Sequence, residues 1–260
     1  MSYDDYINKW LAGIHSEVLF WDRLMESRGA KGGNPQIFKL RISADTPFTL
    51  EKEIEHENST FCDVGSGPFS NCGYLTNSRL TFVAVDPLAF IYEELKRRHG
   101  INSPVAPITG MVETLGDQFG QNRFDIVHMS NSLDHCFSPI DGIFQLLFVC
   151  KVGGKVILRH NENEAEHAHY KGFHQWNITI ENNRFILWRP GERLDVGNLI
   201  HEFASVEKAE LVQEELLDTS WKHNRFVLRK NKEFNLTHKN YQSVIICKLL
   251  EQIGKLSLGV

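Results

Sequence analysis

The sequence predicts an α/β fold built on a doubly wound sheet, mostly parallel with an antiparallel edge. Three observations carry this. Short apolar runs alternate with helical patterns from Thr60 to Arg159, the signature of parallel strands covered on both faces. A glycine-rich turn, Gly65-Ser66-Gly67-Pro68, follows the first run directly. Near the end, Leu211–Leu217 and Arg225–Arg229 read as two strands joined by a short turn, which adds antiparallel strands at one edge.

In chain order, Ile7, Trp10, Leu11, Ile14, Val18, Trp21 and Met25 recur at three- and four-residue steps and predict a helix that stops at Arg28 and Gly29. Gly32, Gly33, Asn34 and Pro35 mark a loop, and residues 36–58 carry mixed signals. Residues 1–58 are expected to form a helical cap. Trp10 and Trp21 are expected to pack it, with closure over a ligand as the alternative. Thr60–Val64 is the first strand and Ser70–Thr76 a short helix. Leu80–Val85 is the second strand, and Leu88–His99 a helix closed by Gly100. Ala106–Thr109 and Phe124–Met129 are the third and fourth strands. Ser138 and Pro139 open a helix that runs to Lys151, and Lys155–Arg159 is the fifth strand. Asn177–Ile180 and Arg184–Trp188 alternate around Asn182-Asn183, a hairpin signal. The core is thus expected over residues 59–231, with an acceptor-side insertion at 160–190. Residues 232–260 are expected to form a helical extension whose apolar face comprises Ile245, Ile246, Leu249, Leu250 and Ile253.

A chain of 260 residues with 42% hydrophobic and 23% charged residues can bury a core without staples. Its 28 Lys and Arg against 33 Asp and Glu give a net charge of −5, which argues against a nucleic-acid partner held by phosphates. The five cysteines (Cys62, Cys72, Cys136, Cys150 and Cys247) form no Cys-x-x-Cys and fit reduced thiols. No run approaches 18 apolar residues and the first ten residues have no apolar stretch, so a cytoplasmic protein without a membrane span is expected.

The chemistry concentrates in Asp63-Val64-Gly65-Ser66-Gly67-Pro68. In a doubly wound sheet, ligands sit beyond the carboxyl ends of the strands, beside the first turn. Glycines let the backbone turn there and approach the ligand. Asp86 ends the second strand, where a carboxylate can accept hydrogen bonds from both hydroxyls of a ribose. A dinucleotide site would need a third glycine three positions after Gly67, and Ser70 stands there. A nicotinamide oxidoreductase is therefore disfavoured.

Asp63-Val64-Gly65-Ser66-Gly67 resembles the first motif of class I S-adenosylmethionine-dependent methyltransferases, and Val85-Asp86-Pro87-Leu88 resembles the second. Gly110-Met111-Val112-Glu113, Phe124-Asp125-Ile126-Val127-His128, Ser130-Asn131-Ser132-Leu133-Asp134-His135 and Val152-Gly153-Gly154-Lys155 resemble the later segments in order. The likeness covers residues 60–160, and bacterial small-molecule and glycan methyltransferases are the nearest in character. It implies a Rossmann-like seven-stranded sheet and S-adenosylmethionine as cofactor. Asp63, Gly65, Ser66, Gly67 and Pro68 would lie along its amino-acid and ribose portions. Asp86 would hold the ribose, with Pro87 and Leu88 flanking the adenine. Met111, Val112 and Glu113 would border the adenine, and Ser130, Asn131 and His135 would complete the site.

None of these motifs names the acceptor. The segment from Arg159 to Asn177 is rich in histidine and glutamate, beginning where the fifth strand ends. Three readings stay open: a general base with acceptor contacts, a metal site, or a solvated surface. The first is preferred, because no His-Glu-x-x-His spacing occurs, and no metal is assigned. The catalytic candidates are His135, His160, Glu164 and His174, since neutral histidine is available near pH 7 to take a proton from a hydroxyl. The expected activity is methyl transfer to a small-molecule acceptor, at oxygen of a sugar or glycan precursor. Another anionic or phosphorylated small molecule, and a non-catalytic S-adenosylmethionine-binding protein, are the alternatives. Ser130-Asn131-Ser132-Leu133 replaces the Asn-Pro-Pro-Tyr signature of base-amino methylation. A homodimer stays open.

Overall fold

A computed structural model describes residues 3–216 and 219–236. The expected apolar helix at Ile245–Ile253, like Cys247, lies outside the described residues. Seven strands form one sheet in the order β3-β2-β1-β4-β5-β10-β9. They are β1 (Ser59–Val64), β2 (Leu80–Asp86), β3 (Ile108–Thr109), β4 (Phe124–Ser130), β5 (Cys150–His160), β9 (Ala204–Leu216) and β10 (Thr219–Lys230). The first five are parallel, and β10 runs antiparallel to β5 and to β9. This is the doubly wound sheet with an antiparallel edge that the apolar alternation predicts.

The order sets where a ligand fits. From β1 the chain moves outward to β2 and β3, then crosses back to place β4 on the other side of β1. Connections on opposite faces part at that junction and leave a crevice beyond the carboxyl ends of β1 and β4.

Helix α1 (Tyr3–Glu26) buries the stripe of Trp10, Leu11, Ile14, Trp21, Leu24 and Met25, as its spacing predicts. That stripe packs on α3 (Ala89–Arg98), with the Trp21 and Tyr92 rings edge-to-face at 6.0 Å. A second helix, α2 (Pro35–Ile42), falls where the sequence shows only mixed signals. Its start is nevertheless written there. Asn34 caps it by accepting from the amides of Gln36 and Ile37, and Pro35 fills the first helical position. Phe38 docks it edge-on to Phe69 at 5.6 Å.

The expected helix at Ser70–Thr76 is absent: residues 65–79 run as turns and bends. Gly73 explains part of this. Its φ is +73°, outside helical geometry, and a Cβ there would sit 2.0 Å from the carbonyl oxygen of Pro47. Leu75 instead pairs with Pro47 in an isolated bridge. The third strand is also shorter than expected, beginning at Ile108 rather than Ala106. Conversely β5, β9 and β10 exceed their predicted lengths, because polar residues such as Glu207 and Lys222 continue the strands beyond the apolar runs.

Short helices α4 (Leu115–Phe119), α5 (Pro139–Val149), α6 (Glu164–His167) and α7 (Val196–Ile200) complete the connections. The predicted hairpin forms as β6 (Asn177–Glu181) and β7 (Arg184–Arg189), joined by Asn182 (φ 50°) and Asn183 (φ 59°). Two successive positive φ values give the twist-matched hairpin turn that asparagine tolerates. Strand β8 (Glu192–Asp195) extends it to a three-stranded antiparallel sheet. That sheet docks on the main one through Phe185, stacked on Phe226 with centroids 3.9 Å apart. Among the described residues, no helix is long and apolar enough to cross a membrane.

Candidate functional site

The loop after β1 is built by close approach. The amides of Gly65 and Ser66 donate to the carbonyl of Val85 at 2.8 and 3.2 Å, which folds the loop across the end of β2. Gly65 has φ +64°, and a Cβ there would lie 2.4 Å from Ser132 Oγ. Gly67 has φ +62°, and its Cβ would press on the Trp21 ring at 3.0 Å. Neither position admits a larger residue without displacing the loop or the cap.

Asp86 closes the same corner. Its Oδ2 accepts the Gly67 amide at 2.9 Å and its Oδ1 the Leu88 amide at 2.8 Å. Burial pushes its carboxyl up to about 7, the two amides pull it back, and the charges of Glu17 and Asp63 add to the rise.

Asp63 is held from beneath. Its Oδ1 accepts from His128 Nδ1 at 2.7 Å, and His128 Nε2 accepts from Arg159 Nε at 2.9 Å. Arg159 also donates to Asn71 Oδ1 at 2.9 Å. All three members of the chain are buried. Three strands in register supply them: Asp63 pairs with His128 on β1 and β4, and Arg159 lies at the end of β5.

These groups open on a cleft of about 930 Å³ of free space, part of it continuous with solvent. Of the residues expected around a cofactor, Asp63, Gly65, Ser66, Gly67, Asp86 and Pro87 line it. So do Leu88, Met111, Val112, Glu113, Ser130, Asn131 and His135. Pro68 does not. Glu113 is buried, and that burial raises its carboxyl to about 7.

The histidine segment divides. His135 lines the cleft, with Nε2 3.7 Å from Asp134 Oδ2. His174 stands one layer back, its Nδ1 2.7 Å from the same Asp134 oxygen and its ring edge-on to His135 at 4.6 Å. Burial opposes charge on both partners of that contact but the attraction prevails: His174 is raised and Asp134 lowered from their ordinary values. Asp134, His135 and His174 place one ligand atom each within 4.8 Å of one another, a spacing that a metal ion could use. His160 is elsewhere. It is buried, neither ring nitrogen has a hydrogen-bond partner among the described residues, and burial pushes its pKa down to about 3. A histidine so enclosed is a poor proton acceptor for an outside group. Glu164 accepts from Asn161 Nδ2 at 2.7 Å in α6, and it too lies outside the cleft wall.

The cap contributes residues that local patterning does not reveal. Trp10, Glu17 and Trp21 of α1 roof the cleft, and Arg41 of α2 enters from the side. Glu17 Oε1 accepts from Trp21 Nε1 at 2.7 Å, which fixes the roof's one acid. Phe173 stacks on Trp10 at 5.4 Å and closes the far end. The two tryptophans are buried, as the packing expectation has it, and both line the cleft.

No family model matches the chain, and no curated protein matches it. Solved structures share parts of its fold. The [4+2]-cyclase SpnF is 18% identical over 43% of this chain, with a TM-score of 0.34, and the match spans 42% of that chain. The CurJ carbon methyltransferase is 13% identical over 70% of this chain and 51% of its own, at 0.46. The PH0226 protein from Pyrococcus horikoshii OT3 is 15% identical over 80% of this chain and 95% of its own, at 0.43.

Proposed function

We propose that the cleft binds S-adenosylmethionine and that the protein transfers a methyl group to a small-molecule acceptor, at an oxygen of a sugar or glycan precursor. The observation that carries the reading is Asp86. A buried carboxylate ends β2 beside a loop whose two glycines leave no room for side chains, at the switch point of the sheet. That arrangement suits the two hydroxyls of a ribose. A pyrophosphate is served instead by the start of a helix, and residues 65–79 contain no helix. The donor set agrees. Glu17, Asp63, Asp86 and Glu113 line the cleft against a single guanidinium, Arg41, which favours a cationic ligand over a polyanion.

In this reading Asp86 holds the ribose and Asp63 receives the ammonium of the amino-acid portion. Met111 and Leu88 form the apolar walls of the adenine site. When bound, the cofactor supplies an electrophilic sulfonium methyl group. The chain's own task is to position the acceptor and take its proton. His135, on the cleft wall, is our candidate for this. A neutral ring nitrogen of His135 would accept the proton of an acceptor hydroxyl, with Nε2 3.7 Å from Asp134 Oδ2. Asp134 stabilises the imidazolium that results. The α1 roof, with Trp10 and Trp21 lining the cleft, supports a small-molecule acceptor.

Titration calorimetry of the full chain with S-adenosylmethionine and, separately, NAD tests the reading. The expected result is saturable binding of S-adenosylmethionine that weakens at least about tenfold in Asp86→Ala, equivalent to about 1.4 kcal/mol, and no binding of NAD. Binding of NAD alone overturns it.

A further inference from the structure

We infer that a second pocket beside this cleft is the acceptor site, and that it takes a ring compound carrying an oxyanion, a sugar acid or sugar phosphate. The inference rests on the proposed methyl-transfer reading and names the substrate class for it. The pocket has about 1480 Å³ of free space open to solvent and lies above β5, β9 and β10. Arg41, Asn71 and Asn131 belong to the walls of both spaces, so the two are neighbours.

Two guanidinium groups line the second pocket, those of Arg41 and Arg159. Arg159 is 1% exposed, and its Nε and Nη2 are fixed by His128 and Asn71. Its Nη1 reaches only Glu214 Oε2, at a long 3.4 Å. Arg41 approaches from α2, and its enclosed Nε has no hydrogen-bond partner among the described residues. Burial and the neighbouring Arg159 charge both lower the Arg41 pKa, while the Asp63 charge opposes them. A buried guanidinium donor left without an acceptor is costly. A carboxylate or phosphate oxygen between the two arginines would satisfy it and relieve the repulsion.

An aromatic side chain stands beside Arg159. Trp221 lies 5.6 Å from the Arg159 guanidinium, is backed by His223 at 3.9 Å, and is held in plane by donating from Nε1 to Asn161 Oδ1 at 2.8 Å. A fixed indole beside a cationic corner suits a sugar ring whose charged substituent points inward. Glu214 and Glu215 stand in the same wall. Glu214 is the competitor that a ligand oxyanion displaces from Arg159.

The test is calorimetry on the full chain, with and without saturating S-adenosylhomocysteine, using glucuronate, glucose 1-phosphate, glucose and inorganic phosphate as probes. A charged sugar is expected to bind saturably and at least about tenfold more tightly than glucose or inorganic phosphate alone. Whichever of glucuronate and glucose 1-phosphate binds more tightly identifies the oxyanion. Glu214→Gln should tighten that binding about threefold or more by removing the competitor. Trp221→Ala should weaken it about tenfold. Neither variant should change the affinity for S-adenosylmethionine. Absence of charged-sugar binding in both states, or binding indifferent to Glu214→Gln, overturns the inference even where S-adenosylmethionine binds. Charged-sugar binding with both variant effects, in a protein that takes no S-adenosylmethionine, sustains the pocket and sinks the methyl-transfer reading.

Discussion

Arg159 donates from Nε to His128 Nε2 across 2.9 Å, and this single contact sets the protonation of the site's floor. A guanidinium can only donate, so Nε2 carries no proton and the proton of neutral His128 sits on Nδ1. That nitrogen lies 2.7 Å from Asp63 Oδ1. His128 stays neutral because burial, and next the charge of Arg159, lower its pKa against the pull of Asp63. The cleft acid and the arginine of the second pocket are thereby joined through one ring.

His128→Gln should break this link on at least one side, since its amide cannot occupy the ring's two nitrogen positions together. The expected outcome is a loss of about 1–3 kcal/mol in stability, from a buried polar partner left unsatisfied. S-adenosylmethionine affinity should also fall by about tenfold, as Asp63 loses its fixed orientation. Thermal melts and calorimetry on the same preparation check both. An unchanged affinity would show that Asp63 is held by the loop alone.

Asp86 predicts a pH dependence with a definite sign. Its folded-state carboxyl is raised from 3.8 to about 7 by burial, so between those values the native state binds more protons than the unfolded chain. Stability of the cofactor-free protein therefore falls as pH rises through this window, by up to about 4 kcal/mol from this group. Asp86→Asn should remove that component. Its melting temperature should exceed the wild type's at pH 8, and the gap should close toward pH 5. The variant should also lose cofactor affinity, and wild-type affinity should climb between pH 6 and 8 as the carboxylate ionises. A gap that does not change with pH contradicts this account.

The parts of the site that follow from the chain's local order were legible in the sequence. Asp63, Gly65 and Asp86 sit at strand ends, and a strand followed by a tight turn leaves a pattern within a few residues. Glu17 and Arg41 left none, since only the packing of α1 and α2 on the sheet brings them to the cleft. The start of α2 was nonetheless written in Asn34-Pro35, a cap and first-position pair. The absent helix at Ser70–Thr76 erred the other way. Expecting a helix after every strand overlooks Gly73, whose conformation is set by Pro47, 26 positions earlier in the chain. His160 and His135 look alike as polar residues after strands, but one is sealed in the interior and the other faces the cleft.

His135 and Asp134 separate catalysis from binding. On the proposed reading, replacing His135 by Gln removes the proton acceptor and leaves Asp63 and Asp86 in place for the cofactor. The turnover rate should fall by about 10²–10⁴-fold with the cofactor affinity within about threefold of wild type. Asp134→Asn should weaken the base less and also shift the acid limb of the rate profile, because the Asp134 charge lies 3.7 Å from His135 and bonds His174 at 2.7 Å. Steady-state rates across pH, once an acceptor is in hand, check this. Full activity in His135→Gln would assign the proton to solvent or to an acceptor that is already anionic.

Phe185 tests whether the three-stranded sheet is a structural part of the core or a loosely held appendage. Its ring stacks on Phe226 of β10 with planes 18° apart, and both are fully buried. Phe226 pairs with Leu158 on β5 and Ala209 on β9, so the stack ties β7 to the middle of the antiparallel edge. Ile178 and Leu187 complete the same apolar cluster. Truncating Phe185 to Ala should cost about 3–5 kcal/mol through lost contact and the cavity left behind. Unfolding should remain a single transition, because the cluster is continuous with the core under β4 and β5. A variant that instead melts in two steps, with the small sheet first, would make residues 177–195 a separate unit, and the wall of the second pocket at Trp221 would then be expected to survive its loss.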